Sequence, residues 1–261
     1  MKTTLHQDFD LTSFRKVWKS DILDSEITEI EELIKDNPLL NETLNLRKAS
    51  LAIIDLRTMR YTCSFGDVEQ VCGLSRELIL SEGVAYFVSK LPSPDYIGLQ
   101  KMSEIMGRYV AALSDKQVVT FKAMFDFRMQ HPNGHINRII QEGVALRRDQ
   151  NGNILFLLAM ISDISNLKRE NRQHLRLTDG TDNFIYEVNN ENMTTRQLDS
   201  LSVRELEIAK LIGQKLTSEE IAKKLFLSPH TINTHRQNML RKMDMADTME
   251  LINFLRVYQL I

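Results

Sequence analysis

The chain has 261 residues, a formal net charge of −2, 43% hydrophobic residues and 26% charged residues. This is the composition of an ordinary globular protein with about two domains, and the near-neutral charge excludes a protein that coats nucleic acid over its whole surface. The two cysteines, Cys63 and Cys72, are too few for a disulfide framework and lack the spacing of a zinc site, so both are expected to be reduced and buried.

Polar and acidic residues follow Met1 and Lys2 in place of the apolar core that a secretion signal requires. The longest apolar run, Ile154 to Ile161, is far too short to span a bilayer. The sequence therefore predicts a soluble, cytoplasmic protein with no membrane contact.

Residues 1–45 are predicted to form an N-terminal helical segment, because apolar residues recur there with the period of an α-helix. Asn37 and Pro38 end this pattern, since proline cannot continue a helix. The segment is expected to cover a sheet or a partner. Its two apolar stripes consist of Phe14, Val17 and Trp18, and of Ile27, Ile30, Leu33 and Ile34.

Residues 46–168 are predicted to form a sheet domain, because the period changes there from helical to strand-like. Leu51 to Leu56 and Met59 to Ser64 have the pattern of a hairpin, and short helices are expected at Val68 to Cys72 and at Ser75 to Leu80. Three long strands then follow in succession.

The first long strand, Thr120 to Met129, places its aromatic residues on one face and Asp126 and Arg128 mainly on the other. Pro132-Asn133-Gly134 predicts a turn, and the second strand runs from Ile136 to Arg148 with Gly143 as the candidate bulge.

A second hairpin turn is predicted at Asp149 to Gly152, before the third strand. That strand, Ile154 to Ile161, is apolar on both faces, so something other than water must cover each side of the sheet.

This region resembles the PAS family of sensor domains. Val71 to Leu78 is similar to the turn between the short helices of the family, and Phe127 to His135 is similar to its central hairpin. Ser162-Asp163-Ile164-Ser165 is similar to its closing aspartate-isoleucine-threonine element, with serine in place of threonine. The resemblance implies a domain that senses a signal or forms dimers, and it names no ligand.

No cofactor is predicted, and a small-molecule ligand of the PAS-like domain stays open. Neither cysteine has the sequence context of a photoactive flavin domain, and the two histidines nearest the sheet, His131 and His135, flank a surface turn where solvent exposure explains them better than haem. The remaining candidates for a small apolar cavity have the spacing of ordinary core residues. They are Phe87, Phe121, Met124, Phe125 and Met160. A phosphoryl receiver domain is disfavoured, because it would alternate parallel strands and helices.

Residues 169–197 are predicted to be a helical exit followed by a linker. Asn166 to His174 is charged and helical in character, and Gly180 to Gln197 is polar and weakly patterned. Such a linker would let two domains reorient.

Residues 198–261 contain three successive helix starts at the spacing of a helix-turn-helix. Ser202, Thr217 and Ser228 are the predicted caps, and each is preceded by a leucine that can pack against a residue of the following helix. Only Leu225 to Leu227 separates the second and third helices. So tight a junction predicts the sharp crossing by which a supporting helix lifts a recognition helix into the major groove.

The third helix is predicted to bury Ile232, Met239 and Met243 and to present a polar stripe. Asn233 and Gln237 suit bidentate pairing with adenine, and the Thr234 methyl suits a thymine methyl, so a half-site containing A·T pairs is expected. No acidic residue occurs from Ile221 to Met243, which favours contact with phosphates.

These residues resemble the LuxR or GerE type of helix-turn-helix regulator, from Leu201 through Met243. Two positions depart from the family pattern: Lys215 stands where glycine usually ends the first helix, and Asn233 stands where lysine is frequent. The resemblance assigns base reading to Asn233, Thr234 and Gln237. The full set of expected DNA-binding residues is Thr217, Ser228, His230, Thr231, Asn233, Thr234, Arg236, Gln237, Arg241 and Lys242.

The expected fold is therefore α+β: a PAS-like antiparallel sheet domain with short helices, followed by an all-α, four-helix LuxR-type domain. Enzymatic activity has no support, because the chain lacks a phosphate-binding glycine loop, a metal-ligand cluster and a nucleophile with a base partner. The favoured function is sequence-specific regulation of transcription on double-stranded DNA, with contact to RNA polymerase left open. The alternative is a protein-interaction or sigma-factor-like adaptor.

A homodimer is expected, held mainly by the N-terminal helices and the sheet. Asp247 starts a fourth helix that is apolar around most of its circumference. One stripe can pack inside the domain, which leaves Phe254 and Val257 to be covered by a second chain or by the PAS-like domain. The fourth helices are expected to meet when DNA is bound.

Overall fold

The computed structural model describes residues 38–149, 153–168, 170–190, 192 and 194–261, and in them an antiparallel sheet of eight strands precedes four helices. The α+β class is confirmed. Most of the helical segment predicted at residues 1–45 and the turn predicted at 150–152 lie outside the described residues. Within the described residues, no helix is both long and apolar enough to cross a bilayer.

The sheet part contains helices and strands in the following order. They are α1 (Pro38–Leu46), β1 (Ala49–Asp55), β2 (Arg60–Gly66), α2 (Val68–Cys72), α3 (Arg76–Glu82), α4 (Val84–Ser89), α5 (Ser93–Ala112), α6 (Asp115–Thr120), β3 (Lys122–Gln130), β4 (Ile136–Arg148), β5 (Ile154–Asp163), β6 (Gln173–Thr178), β7 (Asn183–Asn189) and β8 (Thr194–Gln197).

The strand order is β2-β1-β5-β4-β3-β6-β7-β8, and every neighbouring pair is antiparallel. The predicted hairpins β1-β2 and β3-β4 are confirmed, and so is the succession of three long strands. β5 pairs with both β1 and β4. Its sequence is apolar on both faces because a core covers each face: Ile154 packs into the core beneath α2 to α5, and Leu155 packs into a smaller core beneath α1.

The predicted bulge at Gly143 is wrong. Gly143 pairs regularly with Ala123 and Ala159, and the irregular register of β4 lies instead between Ala145 and Arg148. A Cβ atom on Gly143 would lie at ordinary contact distance from Leu157, so this glycine marks no break in the ladder.

The predicted helical exit and linker between residues 166 and 197 are also wrong, because β6, β7 and β8 occupy most of this stretch. β6 pairs with β3, so the strands extend the sheet. Leu175 and Leu177 alternate with charged residues and are fully buried. The charged residues up to His174 gave this stretch the character of the predicted helical exit.

The 20-residue helix α5 was not predicted from the sequence. It contains Gly98 and Gly107, which weaken the helical signal. A Cβ atom on Gly98 would lie 1.8 Å from Oε1 of Gln173 on β6, so a larger residue there would force the Gln173 side chain to move. The glycine lets α5 approach the sheet closely.

The C-terminal part consists of α7 (Val203–Gly213), α8 (Ser218–Leu225), α9 (Pro229–Met243) and α10 (Thr248–Val257). Ser202, Thr217, Ser228 and Asp247 each accept a hydrogen bond from the backbone N–H three residues later, which confirms all four predicted caps. At α10 the Glu250 carboxylate accepts from the N–H of Ala246 and not from that of the cap residue Asp247, so the cap is not reciprocal there.

Candidate nucleic-acid interface

The junction of α8 and α9 sets the direction of the predicted recognition helix. Phe226 ends α8 in the left-handed conformation with φ 56°, and the N–H of Leu227 donates to the carbonyl of Ala222. Lys215, at the glycine position between α7 and α8, also has a left-handed φ of 68°. Both turns therefore have the geometry that glycine favours, although neither contains glycine.

The buried face of α9 consists of Ile232, Met239 and Met243, as predicted. They pack with Ile221 of α8 and Ile208 of α7 in one apolar core. The opposite face of α9 is directed away from this core. Five of the predicted DNA-binding side chains are exposed on α9, namely His230, Asn233, Thr234, Gln237 and Arg241.

Three further predicted residues lie at helix starts. The Thr217 hydroxyl accepts from the N–H of Glu220, and the Ser228 hydroxyl accepts from the N–H of Thr231 at 3.0 Å. The Thr231 and Ser228 hydroxyl oxygens are 2.8 Å apart. These groups lie at the positive ends of the dipoles of α8 and α9, a favourable place for a phosphate.

Arg236 and Asn233 are joined through Ser218, the first residue of α8. Nη1 of Arg236 lies 2.9 Å from Oγ of Ser218, and the same Oγ lies 2.7 Å from Oδ1 of Asn233. Ser218 is buried, whereas Asn233 is exposed. A side chain of α8 therefore contacts two residues of α9. The sequence did not predict this contact.

Lys242 contacts the body of its own domain. Its Nζ lies 2.7 Å from Oε2 of Glu205, a residue that is only 3% exposed and that also accepts from the N–H of Ser202. Burial raises the pKa of Glu205, but the hydrogen bonds from Lys242 and Ser202 outweigh it and hold the pKa below its usual value. Lys242 thus ties the end of α9 to the start of α7.

Replacing Lys242 by alanine is expected to destabilise the C-terminal domain, because it leaves a buried carboxylate without its cation. A hydrogen bond to a charged group contributes about 1.5–3 kcal/mol, and thermal unfolding should show a loss of this size. The control is Arg241→Ala, since Arg241 is its exposed neighbour on α9. Equal melting temperatures for the two variants would contradict the role given to Lys242.

The C-terminal helices dock on the sheet through a buried charge cluster around Asp126 of β3. The Tyr258 hydroxyl, just beyond α10, donates to Oδ1 of Asp126. Nζ of Lys168 lies 2.8 Å from the same oxygen, and Nε of Arg138 lies 2.9 Å from Oδ2. Burial alone would raise the pKa of Asp126, but Lys168 and Arg138 outweigh it and hold the pKa far below its usual value.

His174 of β6 completes this cluster and is fully buried. Nζ of Lys168 lies 2.7 Å from its Nδ1, its backbone N–H donates to Asp126, and its ring packs edge-on against Phe254 of α10. Burial lowers the pKa of His174, and the neighbouring ammonium of Lys168 lowers it further, against smaller opposing effects of Glu187, Glu170 and Asp126. Both effects disfavour the protonated imidazole in the docked chain.

Stability is expected to fall on mild acidification. An unfolded histidine has a pKa of about 6.5. Because the folded pKa of His174 is lower, the unfolded chain binds more protons between the two values, and the contribution of His174 is complete above pH 6.5 and is lost as the pH falls toward the folded value. The pKa of Glu187 is lowered to about 2, so that carboxylate does not titrate in this window.

Melting temperatures at pH 7.5 and 5.5 test this expectation with His174→Asn. The wild-type chain should lose more stability between the two values than the variant does. His230→Asn is the control, because His230 is exposed on α9. The His230 variant should lose as much stability as the wild-type chain between the two pH values. An equal loss in the wild-type chain and in His174→Asn would contradict the role given to His174.

A second candidate site is a cavity of about 60 Å³ within the sheet domain. Three of the five residues proposed from the sequence line it, Phe87, Phe121 and Phe125. Met124 packs instead toward the C-terminal helices, and Met160 packs toward the core beneath α1. Both cysteines are free and buried, as predicted, and the described residues contain no cluster of three or more potential metal ligands.

The C-terminal residues match a known family, described as bacterial regulatory proteins of the luxR family, over residues 199–255. A nitrate/nitrite response regulator homologue of Haemophilus influenzae is 32% identical over 81 residues, which are 31% of this chain and 38% of that protein. The regulatory protein LiaR of Bacillus subtilis is 45% identical over 49 residues, covering 19% and 23%. The chain thus spans well under half the length of these curated relatives.

Two solved structures are similar to longer or more N-terminal parts of the chain. A VqmA–ligand–DNA complex of Vibrio cholerae covers 90% of this chain and 88% of its own, with 16% identity and a TM-score of 0.32. The N-terminal domain of a diguanylate cyclase with a PAS/PAC sensor from Marinobacter aquaeolei covers 46% and 97%, with 18% identity and a TM-score of 0.37. The family match and the four capped helices together identify residues 199–255 as a helix-turn-helix domain of the luxR family.

Proposed function

We propose that the chain is a one-component transcription regulator in which α9 reads double-stranded DNA and the sheet domain receives a signal, forms dimers, or does both. The observation that carries this proposal is the exposed polar face of α9 within a domain of the luxR family. A helix with this support and this face has the properties needed to enter the major groove.

Base reading is assigned to Asn233, Thr234 and Gln237, which lie on the exposed face. Phosphate contact is assigned to the remaining predicted residues, at the helix starts and on the flanks. The contacts of Arg236 with Ser218 and of Lys242 with Glu205 give these two cations a structural role as well. The third predicted cation on α9, Arg241, is exposed. The other domain bounds given by the sequence remain proposals as well, whereas β6 to β8 favour placing residues 173–197, predicted as exit and linker, with the sheet.

Sensing is assigned to the cavity of the sheet domain. Its lining is apolar except for Gln141 and Tyr61, and it contains no charged side chain among the described lining residues. Such a site suits a small, neutral, mainly apolar molecule that forms one or two hydrogen bonds. Methionines 59 and 106 in the lining can move to admit it, because methionine side chains are flexible.

A homodimer is part of the proposal. The apolar side chain of Phe254 is buried against the chain's own sheet in this arrangement, and that of Val257 is half-buried. The fourth helices can therefore meet through this face only after the C-terminal domain leaves the sheet. RNA polymerase contact belongs to the same proposal and has no assigned surface.

A salt series on the full chain tests DNA binding against the adaptor alternative. Affinity for duplex DNA should fall as salt rises, with a log–log slope of roughly −0.9 for each neutralised phosphate, whereas protein docking depends on salt far less. On a selected duplex, Asn233→Ala or Gln237→Ala should cost about 1–3 kcal/mol, and Arg241→Ala should weaken selected and random duplexes alike. Equal losses on both duplexes for all three variants would falsify the base-reading assignment.

A further inference from the structure

Asn233 is held by a chain of two hydrogen bonds that begins at Arg236. The distances are 2.9 Å from Nη1 of Arg236 to Oγ of Ser218 and 2.7 Å from that Oγ to Oδ1 of Asn233. Ser218 is 9% exposed, and its place as the first residue of α8 fixes it against α9. Rotation of Asn233 therefore breaks a contact with a buried group.

The direction of each hydrogen bond follows from the chemistry of the three groups. A guanidinium has donors and no acceptor, so the Ser218 oxygen must accept from Arg236. The hydroxyl has a single hydrogen, and the amide oxygen of Asn233 is the acceptor within reach. The hydrogens run in one direction, from Arg236 to Ser218 to Asn233.

In the structure the oxygen of the Asn233 amide is the end that faces Ser218. Its oxygen is bound to the supporting helix, so its NH₂ group is the end left for a base. Pairing with adenine in the bidentate manner needs both the oxygen, to accept from N6, and the NH₂, to donate to N7. In the observed arrangement one lone pair of the oxygen accepts from Ser218, and the oxygen faces α8 in place of a base.

We propose that Ser218 and Arg236 are positioning residues that leave Asn233 only its amide NH₂ donors for contact with a base. Asn233 then selects a base that presents acceptors in the major groove. Guanine presents two acceptors there, O6 and N7, and thymine presents one, O4. Adenine presents one acceptor, N7, but beside an N6 amino donor that faces the Asn233 NH₂ unfavourably, and cytosine presents its N4 amino donor and no acceptor. Guanine is thus favoured first, then thymine. This inference rests on the proposed DNA-binding function and specifies the base at one position of the site.

Selection of randomised duplexes by the full chain tests the inference. The wild-type chain should enrich guanine or thymine at the position read by residue 233. Ser218→Ala frees the amide to turn, so discrimination at that position alone should fall roughly fivefold or more. Ser218→Thr keeps the hydroxyl and should keep the preference. Asn233→Asp replaces the outward donor by an acceptor and should shift the preference to cytosine, whose N4 amino group donates.

The outcomes separate this inference from the function on which it rests. If every variant enriches the same base at that position as the wild-type chain does, the inference is overturned and DNA binding is not. Enrichment of adenine by the wild-type chain also overturns it. Failure of the wild-type chain to enrich any sequence, together with salt-independent binding, overturns the proposed function and the inference with it. Melting temperatures of the variants show whether a lost preference reflects unfolding, because a merely structural role would lower melting without changing the preferred base.

Discussion

Replacing Asp126 by asparagine is expected to lower the free energy of unfolding by about 3–5 kcal/mol, the cost of removing one partner from a buried ion pair. Asp126 is fully buried, and the cations Lys168 and Arg138 that face it are 7% and 4% exposed. Asparagine has nearly the same size, so the loss would come from charge and not from a cavity. Lys168 can reduce the loss by releasing its proton, since burial lowers its pKa to about 8 despite the opposing charge of Asp126.

Urea unfolding followed by circular dichroism measures this loss. Asp182→Asn is the matched control, because it removes the same charge from an exposed position and should change the free energy of unfolding by no more than about 0.5 kcal/mol. A change of that small size for Asp126→Asn would show that the cluster contributes little, and that the docked arrangement depends on the apolar contacts of Phe254 and Tyr258 instead.

The sequence predicted those elements whose signals are local. Turn residues around Asn133 fixed the β3-β4 hairpin, and the caps Ser202, Thr217 and Ser228 fixed three helix starts, because a cap and its partner lie three residues apart. The exposed stripe of α9 followed from the helical period of its apolar residues. Each of these features depends only on neighbours along the chain.

The sequence did not predict the buried charge cluster around Asp126, which depends on a covering domain. Asp126 alternates with aromatic residues, so a polar face directed to water was the natural interpretation. The same alternation arises when a second domain covers that face, as α10 and Tyr258 do here. His174 and Arg176 also alternate with buried residues on β6, so the same two interpretations apply to their face of the sheet. Aspartate within a strand is unfavourable, and this was the one local sign of a buried partner.

Contacts between side chains of different helices were missed for a related reason. The Ser218 to Asn233 and Glu205 to Lys242 pairs are separated by 15 and 37 residues. Helical period indicates the face on which each residue lies, but it leaves open which side chains meet across the crossing of two helices. The charge of Lys242 predicts a phosphate contact, whereas its contact with Glu205 depends on how α9 crosses α7.

Replacing Arg176 by glutamate is expected to release the C-terminal domain from the sheet. Nη1 of Arg176, on the surface of β6, donates to the carbonyl of Tyr258 at 2.7 Å and also contacts the carbonyl of Gln259. These carbonyls lie at the carboxyl end of α10, where the helix dipole is negative, so a cation stabilises the contact and a carboxylate opposes it. Glutamate would also face Glu142 of β4, which contacts the side chain of Gln259.

Release would uncover the α10 face that contains Phe254 and Tyr258. Under the proposed function, two such faces can then meet, so Arg176→Glu should strengthen self-association and tighten binding to a two-fold symmetric duplex by about five- to hundredfold, the usual range of coupling between sites. Arg176→Lys retains the cation and should behave like the wild-type chain. Sedimentation and a duplex titration on the same samples measure both quantities. If the glutamate and lysine variants have the same association constant and the same DNA affinity, the covered face of α10 takes no part in dimerisation. The dimer would then be held by the sheet and the N-terminal segment alone.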